Sequence, residues 1–249
     1  MVACGSLSRS ELLQRLQPPI KLAVFCPCVA VADALAGFDH PIFTESLRLI
    51  RAALADPSSA HALDLQALSL PEQDVVLRLI HSSGDLSLAK DVRLSEAACA
   101  AGLQALAAGA PILTDTAMAA AAVAPMAKRT FGNAVHSVLD LAPDLSPIGS
   151  TRAAAGMHEA LQVHQGAVVL IGSAPTALEL LLEQVSAGRV APPSLVIGMP
   201  VGFVGVSESK RHLAESDLAQ ISLEGSRGGA GLVGAVANAL LRRAWFDQS

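Results

Sequence analysis

The chain has no tyrosine, one tryptophan and six phenylalanines, so aromatic residues make up only 3% of its 249 positions. Hydrophobic residues nonetheless reach 52%, and the interior must therefore be built from Ala, Leu and Val. Small side chains of this kind favour helices packed closely on a sheet. Charged residues are also scarce, at 16%, and the mean hydropathy is +0.48. No segment reaches the ~18 to 20 uninterrupted apolar residues that cross a bilayer. The excess of apolar residues fits surface buried in an oligomer instead. No block of Lys and Arg is present and the formal net charge is -5, which argues against nucleic acid as a partner, because phosphate binding requires a basic stripe. The four cysteines do not form a zinc pattern: Cys26-Pro-Cys28 lacks both the spacing and the downstream ligands. A reduced, cytoplasmic compartment is the simplest expectation. Residues 22–36 carry an apolar run behind Arg9, Arg15 and Lys21, but Pro27 interrupts it and the preceding region reads as an amphipathic helix. That argues against a signal peptide.

No hydrophilic linker divides the chain, and its length suits one large core. Leu47, Ile50 and Leu54 recur at helical spacing between Thr44 and Leu54, and Asp56-Pro57 ends that helix. A second helix starts near Pro71 and stops at Gly84, which puts His81 in its last turn. Ser95 caps a third, running to Ala108. Beyond this point five short apolar runs, at 111–115, 134–139, 167–172, 194–199 and 220–224, are each followed by a helical pattern. The helices expected are Ala117–Ala124, Thr151–His164, Thr176–Ala187, Ser207–Ser216 and Gly231–Trp245. Such alternation predicts a three-layer α/β/α fold with a mainly parallel five-stranded sheet and helices on both faces. Ligands of such sheets bind at the carboxyl ends of the strands, which nominates Asp115, Asp140, Ser173, Met199 to Gly205 and Ser226 to Gly229.

The Gly-rich stretches 198-GMPVGFVG-205 and 225-GSRGGAG-231 fit neither the dinucleotide fingerprint nor a phosphate loop, which disfavours NAD and ATP. Ser173 lacks a nucleophile elbow and reads as a helix cap. Among seven histidines His81 stands apart, since a helix C-terminus favours the protonated imidazole; on the residues alone a structural role at the helix end is the plainer reading. Arg152, Lys210 and Arg227 lie in strand-to-helix connections, where a cation and free helix amides together suit a carboxylate.

The segments 41-PIFTESLRLIRAAL-54, 79-LIHSSGD-85, 108-AGAPILTDTAM-118, 132-GNAVHSVL-139, 149-GSTRAA-154, 171-IGSAPTALELLLE-183 and 196-VIGMPVGFVGVSESK-210 together resemble the precorrin-8X methylmutase family of corrin-ring biosynthesis. The likeness runs from about Pro41 to Leu241, which leaves residues 1–40 as an extension of uncertain structure before a domain at 41–249. It implies an α/β/α homodimer whose active site is partly formed across the subunit interface. It also implies a methyl shift from C-11 to C-12 of precorrin-8X or its cobalt form, without cofactor or metal. The family's catalytic histidine falls on His81, its substrate-binding serine on Ser46 and its arginine on Arg152. Ser173, Met199, Gly202, Ser209 and Lys210 complete the expected substrate contacts. Two departures stand out: 173-SAP-175 replaces Asn-Ala-Pro, and 149-GSTR-152 replaces Gly-Asn-Thr-Arg. Other classes of reading are a tetrapyrrole carrier that turns nothing over and a flavodoxin-like nucleotide module. The second lacks a phosphate loop.

Overall fold

The computed structural model describes residues 37–248; the apolar run at 22–36 and the Cys26-Pro-Cys28 segment lie outside the described residues. From Asp39 onward the chain forms one compact unit. It is built on a six-stranded sheet of β1 (Val92–Arg93), β2 (Ile112–Thr114), β3 (Val135–Ser137), β4 (Val168–Ile171), β5 (Leu195–Gly198) and β6 (Gln220–Leu223). The strand order is β1-β6-β5-β4-β2-β3. All neighbours are parallel except β1, which runs antiparallel to β6 through Val92 opposite Leu223 and Arg93 opposite Ser222. The five expected strands are thus the parallel ones. β1 was not expected because a two-residue strand leaves no alternation to read.

Alternation within each strand divides the core. Ile112, Val168, Leu170, Leu195, Ile197, Ile221 and Leu223 face one layer of helices; Leu113, Val169, Ile171 and Val196 face the other. Counting helices along the chain, α1 is Pro41–Ala55, α2 Leu70–Ser83, α3 Leu88–Asp91, α4 Glu96–Ala107, α5 Ala117–Arg129, α6 Arg152–Val163, α7 Pro175–Ser186, α8 Val206–Ala214 and α9 Ala230–Asp247. The first layer holds α4, α5 and α9, with α2 packed on α9. The second holds α6, α7 and α8. Outermost is α1, whose Leu47, Ile50 and Leu54 meet Val76, Leu77 and Ile80 of α2.

Local signals explain most boundaries. Ser95, Thr116 and Thr151 accept from Ala98 N, Ala119 N and Ala154 N at the starts of α4, α5 and α6. Ser69 and Glu72 form a capping box at α2, and Gly84, at φ 69°, ends that helix in the left-handed conformation. One expectation needs correction. The helix foreseen to end at Ala124 continues through Pro125 to Arg129, because the ring sits on the solvent-facing side while Val123 and Ala127 are held in the core. The strand expected over 134–139 shortens to three residues and passes into a 3-10 turn at Val138–Asp140.

Candidate functional site

The carboxyl ends of the strands carry three loops that hydrogen-bond to one another. Val201 N donates to Gly172 O at 3.1 Å, Gly229 N to Met199 O at 2.9 Å and Gly202 N to Ser226 O at 3.0 Å. Backbones cross so closely that a Cβ on Gly228 would lie 2.0 Å from Met199 O. The Gly-rich 225–231 stretch, which matches no nucleotide motif, is explained by this crossing.

Asp115, at the end of β2, fixes the first loop. Its Oδ2 accepts from Gly172 N at 3.1 Å, Ser173 N at 2.6 Å and Ala174 N at 2.8 Å. The carboxyl is fully buried and its Oδ1 has no partner among the described residues. Burial raises its pKa, against the opposing pull of the three amides. Ser173 therefore stands at the mouth of α7 on a backbone pinned from below.

Lys210 fixes the last loop. Its Nζ donates to Gly225 O at 2.8 Å and to Arg227 O at 2.6 Å, and burial lowers its pKa to about 8. This changes the expectation for the Ser209-Lys210 pair. Ser209 is 0% exposed and donates to Val206 O, while Lys210 is 6% exposed with its ammonium turned under the 225–227 loop. Both side chains are thus engaged by backbone carbonyls of the fold itself. The signal was present in the sequence, since Val206, Ser209, Lys210 and Leu213 recur at i, i+3, i+4 and i+7 and form the buried face of α8. Met199 is likewise fully buried, and Gly202 holds φ at 136°. Phe203 and Val204 project instead, 96% and 88% exposed.

Arg227 continues the chain of contacts to α2. Its guanidinium donates to Asp85 Oδ2 at 2.6 Å and Ser87 Oγ at 2.7 Å, and it also meets Asp91. Asp85 immediately follows the Gly84 that ends α2, so the loops at the sheet edge are tied to the helix end that carries His81.

His81 is half-buried against α1. Its Nδ1 lies 2.8 Å from Ser46 Oγ, and its ring meets Phe43 edge-on with 5.0 Å between centroids. Arg78, one turn earlier on α2, lays its guanidinium on Phe43 at 4.7 Å from the ring centroid. Burial first, and the Arg78 charge second, lower the His81 pKa. The sequence expectation that the helix end would favour the protonated form is therefore reversed, because desolvation and a neighbouring cation outweigh the helix dipole. Arg78 itself was missed. Its signal was its place three residues before His81, on the same helix face.

Arg152 stands apart from this cluster: exposed at the start of α6, it donates through Nε to Pro143 O at 2.8 Å. Between the starts of α6, α7 and α8 lies a cleft of about 380 Å³ bordered by Ser150, Thr176, Glu179, Glu183, Val204 and Glu208. Two of its three carboxylates are already paired, Glu179 with His212 and Glu183 with Arg189.

A sequence profile described as precorrin-8X methylmutase matches residues 41–243, from the start of α1 into α9. The chain belongs to the precorrin-8X methylmutase family. As a member it is an isomerase of the methylmutase type. It is 34% identical over 223 residues to a cobalt-precorrin-8 methylmutase of Synechocystis sp., covering 84% of this chain and 98% of that one. To a precorrin-8X methylmutase of Pseudomonas aeruginosa it is 40% identical over 175 residues, covering 68% and 82%. Among solved structures it is similar to the precorrin-8X methylmutase of Thermus thermophilus, with 39% identity and a TM-score of 0.70 over 83% of this chain and 96% of that one. No helix among the described residues is long and apolar enough to cross a membrane.

Proposed function

We propose that this enzyme moves a methyl group from C-11 to C-12 of precorrin-8X, or of its cobalt form, to give hydrogenobyrinate or cobyrinate, with His81 as the proton donor. The observation that carries the reading is the Ser46–His81 pair. A hydroxyl 2.8 Å from Nδ1 fixes the ring, and Nε2 has no hydrogen-bond partner among the described residues. In the imidazolium, Nδ1–H donates to Ser46 Oγ, which leaves Nε2–H for the macrocycle. Protonating the conjugated ring makes the migrating framework electron-poor and eases a shift that requires no nucleophile. General acid catalysis of this kind supplies ~10²- to 10⁴-fold; holding the ring in place accounts for much of the rest.

The substrate's acetate and propionate arms call for cations and free amides. Arg152 and the Ser173 turn, at the starts of α6 and α7, are the groups proposed to meet them, with the flat backbone at Gly202 against the ring. Met199, Ser209 and Lys210 support that surface from beneath. A homodimer is part of the proposal: Phe203, Val204, Leu145 and Ile148 are 83% exposed or more, and a large apolar ligand or a second copy would cover them.

Anaerobic incubation of the purified protein with precorrin-8X, and separately with its cobalt complex, tests the reading through the visible spectrum of the product. Conversion by wild type and not by His81→Ala supports it. Tight binding of both rings without conversion replaces it with a tetrapyrrole carrier.

A further inference from the structure

At one edge of the sheet β1 is the outermost strand, antiparallel to β6, with Arg93 directly opposite Ser222. Residues opposite one another in an antiparallel pair share a face. Ser222 lies between Ile221 and Leu223, which belong to the core on the α4, α5 and α9 side, so Ser222 and Arg93 stand on the other face, where α8 packs on β6. Between them and α8 is a cavity of about 230 Å³, bordered also by Ser207, Lys210, Arg211 and Glu224. That volume is below the ~300 to 1,000 Å³ typical of pockets for drug-sized ligands. A macrocycle does not enter it; a small ion does.

The two arginines at its rim are already answered. Arg93 gives two guanidinium nitrogens to Glu224, at 2.7 and 2.6 Å, and Arg211 meets Glu215 at 3.3 Å. Lys210 is different. Its ammonium holds two neutral acceptors, Gly225 O and Arg227 O, and forms no ion pair with any described residue. Of its three N–H donors one is left over. Ser222 is 4% exposed, and neither its hydroxyl nor that of Ser207 has a hydrogen-bond partner among the described residues.

A buried cation without a counter-charge is costly, and a buried hydroxyl without a partner adds to that cost. An anion in the cavity would answer all three groups together. A tetrahedral oxyanion offers oxygens in several directions, as donors on α8 and β6 require, whereas a carboxylate offers two in one plane. We propose that this cavity binds a small tetrahedral oxyanion, phosphate or sulfate, and that the bound ion braces the 225–227 loop through Lys210. The site is independent of the methylmutase reading.

The brace follows from contacts that converge on Lys210. Its ammonium holds the carbonyls of Gly225 and Arg227, and the Arg227 guanidinium reaches Asp85 just beyond the end of α2. Burial brings the Lys210 pKa down to about 8, and an anion beside it favours the charged form. The charged groups facing it are Arg93 from β1, Glu224 after β6 and Arg211 from α8 itself; the Arg227 guanidinium is turned away to Asp85 and Asp91. Occupancy therefore keeps the two carbonyls on a full ammonium, whose hydrogen bonds are stronger than those of the neutral amine.

Calorimetric titration of the full chain with inorganic phosphate, sulfate and acetate, at pH 7 and constant ionic strength in chloride, tests the site. Wild type should bind phosphate with a Kd on the order of 1 mM. Sulfate should bind comparably, because the donors read oxygens, and acetate about fivefold more weakly. Ser222→Ala removes a hydroxyl that bonds nothing in the empty fold; it should melt like wild type in chloride and bind phosphate about fivefold more weakly. Lys210→Met should abolish binding, and the serine variant carries the test if the Met protein fails to fold. Hydrogen exchange at 225–229 should slow on adding phosphate to wild type and stay unchanged in Lys210→Met. Absence of saturable binding, equal affinity in wild type and Ser222→Ala, or acetate binding as tightly as phosphate would overturn the site. Saturation that leaves loop exchange unchanged would overturn the brace.

Discussion

Ser46 Oγ and His81 Nδ1 are 2.8 Å apart, a bond that joins the outermost helix to the last turn of α2. The two residues are 35 positions apart in the chain, and among the described residues the contact is the polar link that fixes the imidazole's rotation. Ser46→Ala should therefore lower turnover by about tenfold, the value of one such bond, while product affinity changes little. Stopped-flow turnover and fluorescence titration of hydrogenobyrinate measure the two separately. An equal loss in both would make Ser46 a substrate contact first and an orienting group second.

Lys210 sets a pH dependence of stability. The unfolded chain keeps the ammonium proton up to the ordinary 10.5, whereas the folded chain releases it at about 8. Between those values the unfolded state binds more protons, so this group's contribution rises with pH. Wild type should gain stability relative to Lys210→Met as pH climbs from 8 to 10.5. At pH 7 the Met variant, lacking two carbonyl contacts, should melt about 2–6 °C lower. Thermal melts of both proteins across this range check the sign; parallel curves would contradict it.

Asp115 should tolerate removal of its charge better than removal of its oxygen. Asp115→Asn keeps an acceptor for the amides of residues 172–174 and no longer buries a charge. Asp115→Ala leaves three donors without a partner and should cost about 2–4 kcal/mol. Urea denaturation of the pair distinguishes them, and equal losses would mean that the cradle is not the source of the effect.

Arg227→Gln frees Asp85 and Asp91 at the end of α2. These side chains are more than a third exposed, so the effect on global stability should be under about 1 kcal/mol. Turnover should fall more clearly than affinity, because the helix end bearing His81 loses its tie to the sheet. An unchanged turnover would uncouple the two loops.

Phe203→Asp should convert a dimer to monomers, read by sedimentation velocity at micromolar protein. A monomeric wild type would place the ring alone on the apolar loop surface.

The parallel sheet was legible because each strand is a short β-branched or apolar run followed by helical spacing, and those two periods do not overlap. His81 was legible as a position, at the end of a helix marked by Pro71 and Gly84, but its electrostatics were not. The cation that depresses it comes from Arg78 on the same helix, and the burial comes from α1 and Phe43, which spacing within one helix does not reveal. Lys210 illustrates the opposite case. Its helical register put it on the buried face, yet its charge and its place beside Ser209 suggested a ligand contact. Asp115 was visible as a strand-end carboxylate, while its partners, 57 to 59 residues further along, belong to a different strand's loop.

The three loops at the sheet's edge share their backbone amides. Gly172, Ser173 and Ala174 give theirs to Asp115; Val201, Gly202 and Gly229 give theirs to neighbouring loops. Opening any one loop breaks its bonds to the others. In hydrogen exchange they should behave as a single cooperative unit, so that the ring meets a surface that yields together or not at all.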